Sequence, residues 1–287
     1  MYNTRIAPSP TGDLHLGTLR TAYFNYLAAR STGGKFYLRI DDTDSDRNRP
    51  ELIDSIYEIF SWCGLDYDRS FKQSERFDRH RLLAASLVEQ GKAKILDDDA
   101  IELTYFDNIP SEWRDRVLGT IKTDEVQKVI LIKRDGNPTY HFSCVVDDID
   151  YGINLVIRGV DHISNTPKQI AIYNALNVEI PLYAHVGLLF LNKGKLSKRH
   201  GAASTLYYKQ AGYDSDGLLN FLLRLGWGPK KDDQSTKRLP REKALELFLN
   251  EGNMKATNVN MDMNLLEAFD RKYKADKKIW RTKEKLT

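Results

Sequence analysis

The sequence predicts an α/β fold: a parallel sheet with crossover helices, split by a small insertion and followed by a helical domain. Three observations carry this. The first 65 residues alternate strand and helix patterns, and strands separated by helix-length connections pair in parallel. The centre then changes to short apolar runs broken by acidic clusters. From about residue 204 onward the apolar periodicity is helical only.

Each element has a local reason. Residues 4–7 make a short strand that runs into the breakers Pro8, Ser9, Pro10, Thr11 and Gly12. Residues 18–30 set Ala22, Tyr23, Tyr26 and Leu27 at helical spacing, and Gly33 and Gly34 stop the helix. Residues 36–40 alternate large side chains and lead into a polar strand end, Asp41, Asp42, Thr43 and Asp44. Pro50 opens a helix through Ile53, Ile56, Ile59 and Phe60. Residues 81–90 are helical, and residues 95–120, with Pro110 among them, form a small inserted subdomain. A strand at 129–132 meets a turn, Asp135, Gly136, Asn137 and Pro138. Strands follow at 152–157 and 183–189 around a helix at 167–176, and then helices at 217–225, 241–249 and 265–273. The expected division is 1–80 and 138–203 for the two halves of the α/β body, 81–137 for the insertion, and 204–287 for the helical domain with a basic tail.

Composition excludes several classes. Hydrophobic residues are 41% and charged residues 29% of 287, so a disordered or collagenous chain is excluded. No apolar run approaches the roughly 18 residues of a membrane span, and the N-terminus lacks a basic segment followed by an apolar one. Cys63 and Cys144 are too few for a disulfide scaffold or a cysteine-rich zinc site. A reducing cytoplasm is the expected compartment. The net charge is +3, but residues 271–287 alone carry +6. A basic tail on a mildly acidic body suits either a phosphate backbone or a solvated helix end.

Two loops stand out. In the first, residues 8–17, a histidine and Gly17 lie between the first strand and its helix. A strand end facing a helix N-terminus is where open α/β sheets bind ligands, and the helix adds partial positive charge. The loop fits neither the P-loop pattern nor GxGxxG. In the second, Lys193, Lys195, Lys198 and Arg199 cluster in a glycine-flanked stretch that suits a polyphosphate clamp. Taken singly, each loop is better explained as ordinary surface.

Together they resemble the two signature sequences of class I aminoacyl-tRNA synthetases, here HLGT and KLSKR. The blocks TRIAPSPTGDLHLGTLRTA, YLRIDDTD, DGNPTYHFSCVVDD, VIRGVDHISNTPKQI, YAHV and KLSKRHGA resemble bacterial-type glutamyl-tRNA synthetases in order and spacing, and RLGW at 224–227 carries the likeness into the helical domain, over roughly residues 3–273 in all. The resemblance implies a Rossmann-type catalytic domain, an acceptor-binding insertion and a helical stem-contact domain. It also implies ATP with Mg2+, L-glutamate and the acceptor end of tRNA as ligands, in a monomer. His15, Gly17, Lys195, Ser197 and Lys198 then correspond to the catalytic signatures, and Thr11 and Gly12 join them at the nucleotide. Arg5, Ala7, Ser9, Asp41, Tyr140, Cys144 and Arg158 correspond to the glutamate pocket. Arg5 and Arg158 then pair as the two cationic partners that a dicarboxylate needs, and Arg158 favours glutamate over glutamine, because sister glutaminyl enzymes lack arginine there.

Departures from the family pattern are informative. Asp41 stands where bacterial members usually carry glutamate, Cys144 takes a variable position that also suits a packed thiol, and Thr18 replaces the second signature histidine. The anticodon-binding region and the zinc-binding cysteine cluster of relatives are not in this sequence, so no zinc is expected. The length leaves two alternatives: a glutamyl-queuosine tRNA(Asp) synthetase-like paralogue, or a non-catalytic module derived from a synthetase.

Overall fold

The computed structural model describes all residues except 44–46, 108, 124–125, 127, 192–193, 196–203, 230–238, 251 and 285–287. The body starts with β1 (Thr4–Ile6), α1 (Leu16–Arg30), β2 (Phe36–Ile40), α2 (Pro50–Trp62), β3 (Arg69–Lys72) and α3 (Phe77–Glu89). Short strands follow: β4 (Ala93–Ile95), β5 (Ile101–Leu103), β6 (Glu112–Asp115), β7 (Gly119–Lys122) and β8 (Val129–Ile132). Then come α4 (Tyr140–Asp150), β9 (Leu155–Gly159), α5 (Thr166–Ala175), β10 (Leu182–Val186), β11 (Leu189–Leu191) and β12 (Gly194–Lys195). The C-terminal part holds α6 (Thr205–Gln210), α7 (Ser215–Arg224), β13 (Trp227–Pro229), α8 (Arg241–Leu247), β14 (Gly252–Met254), β15 (Val259–Asn260) and α9 (Met263–Glu284).

Parallel pairing organises the body. β1 pairs with β2 and β2 with β3, while β10 pairs with β9 on one side and β6 on the other, all in parallel. The two sets meet at β1 and β9, where Leu155 N–H donates to the Asn3 carbonyl at 3.3 Å. α1 staples this seam. Thr4 Oγ1 donates to the Asn25 carbonyl at 2.8 Å, and Asn25 Nδ2 donates to the Ile157 carbonyl at 3.0 Å. Buried residues run continuously from Leu19 to Ala29, because the sheet covers one side of α1 and α7 and α8 cover the other. A second core forms where α3 and α4 cover the antiparallel sheet β4–β5–β8, around Leu87, Leu103, Leu131, Phe142 and Val146.

The structure departs from the sequence pattern in four places. The strand expected at 183–189 is two, β10 and β11. At Gly187 the Thr257 backbone passes so close that a Cβ would sit 2.1 Å from its carbonyl oxygen. The region after residue 204 is not purely helical: β13 pairs antiparallel with β14, and β15 pairs parallel with β11. Partners so distant in sequence leave no local period to read. α4, not expected as a helix although Phe142, Val145, Val146 and Ile149 recur at helical spacing, carries Phe142 to Asp148 buried on nearly every side, two aspartates included. The β6–β7 hairpin falls within the stretch expected as an insertion, yet β6 hydrogen-bonds to β10 of the body.

The basic end is partly committed. Asp214 caps α7 by accepting from Asp216 and Gly217 N–H at 3.1 Å, and Lys277 of α9 reaches its carboxylate at 2.7 Å. Lys274 pairs with Asp270 at 2.7 Å. Lys285 lies outside the described residues.

Candidate active site

In an open α/β sheet a crevice opens where the winding direction reverses, at the C-terminal ends of the strands. Here the chain winds outward from β1 to β2 and β3, and from β9 to β10 on the other side. A cavity of about 340 Å³ opens at that reversal. Arg5 and Ile6 come from β1, Arg158 and Gly159 from β9, Arg39 from β2, and Gly17, Arg20 and Thr21 from the start of α1.

The loop into α1 presents a histidine at its N-cap. His15 Nδ1 accepts from Thr18 N–H at 3.1 Å, so the imidazole proton is assigned to Nε2, which lies 3.0 Å from Thr18 Oγ1. Thr18, where the class pattern has a second histidine, therefore orients the first. Gly17 makes room for the ring, since a Cβ there would stand 3.0 Å from His15 Nδ1.

One wall is a compact ionic network. Arg5 Nε donates to Asp148 at 3.0 Å, and Arg39 Nη1 donates to the same Asp148 oxygen, also at 3.0 Å. Arg39 Nε donates to Asp41 at 2.6 Å, and its Nη2 reaches Cys144 Sγ at 3.1 Å. All five side chains are buried. Desolvation works against the Arg39 charge, but the Asp41 and Asp148 carboxylates outweigh it and hold its pKa well above the ordinary value. Burial pushes the Asp41 carboxyl up against the pull of Arg39, so its ionisation depends on that arginine. Burial also pushes the Cys144 thiol up to about 12, leaving it a neutral packed group.

The opposite wall holds Arg158, which is 7% exposed. Its Nε donates to His185 Nε2 at 3.0 Å, Nη1 to Gln169 Oε1 at 2.8 Å, and Nη2 to Thr166 Oγ1 at 2.7 Å. Its guanidinium lies over the Tyr183 ring, 5.2 Å from the centroid. None of these partners is a carboxylate. Tyr140 completes the rim: its hydroxyl meets His162 Nδ1 at 3.3 Å. Desolvation, then Arg158, lowers the His162 pKa to about 4, so the ring is neutral near pH 7.

Of the residues singled out in the sequence, Arg5, Ala7, Ser9, Gly12, His15, Gly17, Asp41, Tyr140 and Arg158 all line the cavity. Thr11 and Cys144 are not among the lining residues. Thr11 is turned into the loop, its N–H donating to the Ser9 carbonyl at 2.9 Å, and Cys144 lies behind Arg39. Lys195 ends β12, whose backbone pairs with β11, while Ser197 and Lys198 lie outside the described residues. Sequence reasoning missed Arg39, Asp148, His185 and Asp115. Arg39 carried a signal, since it stands two residues before Asp41 on the same strand and so shares its face. Asp148 carried one too, standing four residues after Cys144 and eight after Tyr140 on α4, while His185 and Asp115 are joined to the site by tertiary packing.

Comparison with known proteins agrees with this geometry. A family model described as tRNA synthetases class I (E and Q), catalytic domain, matches residues 1–105 and 100–275. Glutamate–tRNA ligase 1 of Campylobacter hominis is 44% identical over 275 residues, covering 81% of this chain and 60% of that protein. Glutamate–tRNA ligase of Thermodesulfovibrio yellowstonii is 42% identical over 266 residues, covering 79% of this chain and 57% of that one. The chain thus spans less than two thirds of the length of these curated relatives. A crystal structure of glutamate–tRNA synthetase from Elizabethkingia anophelis superposes with a TM-score of 0.77 at 25% identity, over 95% of this chain and 70% of that one. A glutamate tRNA ligase structure from Elizabethkingia meningosepticum, in complex with its amino acid, shares the fold with a TM-score of 0.82 at 24% identity, over 95% of this chain and 69% of that one.

Proposed function

The chain belongs to the class I tRNA synthetases of the E and Q type, and from that premise we propose that it activates L-glutamate with ATP and transfers it to tRNA. One observation carries the choice of glutamate: a buried guanidinium, Arg158, whose hydrogen bonds in the cavity wall all go to groups other than carboxylates. A side-chain carboxylate matches that planar fork. The Arg5, Arg39, Asp41 and Asp148 set, two cations and two anions, suits the ammonium and α-carboxylate end. A neutral amide side chain would leave Arg158 without an anion, costing about 1.5–3 kcal/mol of binding.

The chemistry needs positioning and charge neutralisation rather than a general acid or base. An oxygen of the α-carboxylate attacks the α-phosphorus of ATP, the bond to the bridging oxygen breaks, and pyrophosphate leaves. A terminal ribose hydroxyl of tRNA then attacks the activated carbonyl carbon, the bond from that carbon to the phosphate oxygen breaks, and the hydroxyl proton passes to the phosphate of the departing AMP. In this reading His15, Gly17, Gly12 and the α1 N-terminus hold the nucleotide, and Thr11 braces their loop from outside the cavity. Lys195, Ser197 and Lys198 steady the departing pyrophosphate. Mg2+ would be carried by the phosphates of ATP and would neutralise their charge. Residues 81–137 meet the acceptor end of tRNA and residues 204–287 its stem. Among the described residues no helix is long and apolar enough to cross a membrane.

The test is acylation of a total tRNA pool with labelled L-glutamate, ATP and Mg2+, followed by identification of the labelled species. Label at the acceptor end of tRNA(Glu) supports the proposal. Label confined to queuosine-bearing tRNA(Asp) moves it to the paralogous activity. No label, together with no glutamate-dependent ATP–pyrophosphate exchange in the presence of tRNA, overturns it.

A further inference from the structure

Arg158 is held by a chain of side chains that crosses three neighbouring strands. His185 on β10 stands directly opposite Arg158 on β9, so the two share one face of the sheet. His185 is fully buried, between the Trp113 ring at 5.6 Å and the Tyr183 ring at 6.1 Å. Behind it, Asp115 at the end of β6 meets His185 Nδ1 at 2.8 Å and accepts the His185 backbone N–H at 3.0 Å. The other Asp115 oxygen accepts the N–H groups of Val117 and Leu118 at 2.8 and 2.9 Å.

Those bonds fix the direction of every proton. Asp115 faces donors at both oxygens, so it accepts from Nδ1–H of the imidazole. The imidazole is then left with a bare lone pair on Nε2, and that lone pair takes the Nε–H of Arg158 at 3.0 Å. Burial followed by the Arg158 charge lowers the His185 pKa, against the pull of Asp115, which keeps the ring neutral. Gln169 and Thr166 at the start of α5 take one N–H from each terminal nitrogen. A guanidinium has five N–H groups, so one remains on each terminal nitrogen.

We propose that Asp115 and His185 are positioning residues for substrate choice: they hold the Arg158 fork in one orientation, with its two remaining N–H groups kept for a side-chain carboxylate. The proposal rests on the reading of the cavity as a glutamate site. It assigns to the YAHV strand and to the β6–β7 hairpin a role in selecting the amino acid, through Arg158 and without touching the substrate. A guanidinium free to rotate would still attract an anion, but would lose the geometric part of its discrimination against an amide.

The test compares the unmutated chain with His185→Gln, which keeps an acceptor for Arg158, and His185→Leu, which removes it. Calorimetric titration with L-glutamate and with L-glutamine gives the ratio of affinities, and thermal melts check folding. The leucine variant is expected to lose preference for L-glutamate by about tenfold or more, and the glutamine variant to retain most of it. If both ligands weaken equally, the pair is merely structural and the proposal fails. Nitrogen NMR of His185 in the unmutated chain supplies a readout independent of any variant's folding. The expected state at pH 7 is protonated at Nδ1 and bare at Nε2, and a proton on Nε2 overturns the relay. An unmutated chain that binds neither ligand overturns the glutamate reading itself, and this proposal with it. That result is distinct from normal binding with selectivity unchanged in the leucine variant, which overturns this proposal alone.

Discussion

The two walls of the cavity treat charge in opposite ways. On the β1–β2 side, two arginines face two aspartates, and the buried charges cancel among themselves. On the β9–β10 side, one arginine is held by an imidazole, an amide and a hydroxyl. The first arrangement is complete without a ligand and resists rearrangement. The second keeps a buried cation poorly compensated, which costs stability in the empty protein and, in the proposed function, is offset when a ligand's carboxylate binds. The division matches the two ends of an amino acid with an acidic side chain: a zwitterionic head for the balanced wall, an extra anion for the unbalanced one.

The largest effect comes from breaking the balanced wall. Asp148→Ala would strand Arg5 and Arg39 as buried cations sharing a single aspartate. Urea denaturation should show a loss of about 3–5 kcal/mol. A loss below about 1 kcal/mol would mean the two arginines do not depend on Asp148. Next is Gly17→Ala, which leaves both walls alone but pushes the His15 ring off its Thr18 bonds. Aminoacylation should fall by about tenfold or more with little change in melting temperature. An unchanged rate would remove His15 from the site.

The smallest effect sharpens the contrast through pH. His162 beside Arg158 and His141 on the same helix as Tyr140 both have pKa values lowered to about 4, by desolvation first. The unfolded chain, near 6.5, binds more protons than the folded one between those values. Stability therefore rises with pH through that window and is lost as pH falls from about 6.5 toward 4. Replacing His162 with Gln should flatten part of that acid slope in thermal melts across the window. An identical slope would mean that the ring already takes up its proton in the folded state.

Much of this was legible in the sequence, for stated reasons. β1, α1, β2 and α2 follow from strand–helix alternation with Gly and Pro punctuation, which is local. Arg5, Asp41, Arg158 and the loop at 8–17 follow from a family resemblance, and the cavity brings them together. What was not legible depends on distance along the chain. Asp148 meets Arg5 across 143 residues and Asp115 meets His185 across 70, so no spacing pattern announces either pair. α4 carries a helical period in Phe142, Val145, Val146 and Ile149, but what its buried aspartates Asp147 and Asp148 meet is set by distant segments. The strands after residue 204 pair with partners far removed in sequence and are too short to show alternation.

The claim on which the rest depends is that Arg158 selects a side-chain carboxylate. Affinities for L-glutamate and L-glutamine, measured on the unmutated chain and on Arg158→Gln, test it most directly. The account predicts that the unmutated chain prefers L-glutamate and that the substitution erodes this preference by about a hundredfold, chiefly by weakening L-glutamate. The same preference in both proteins would contradict it.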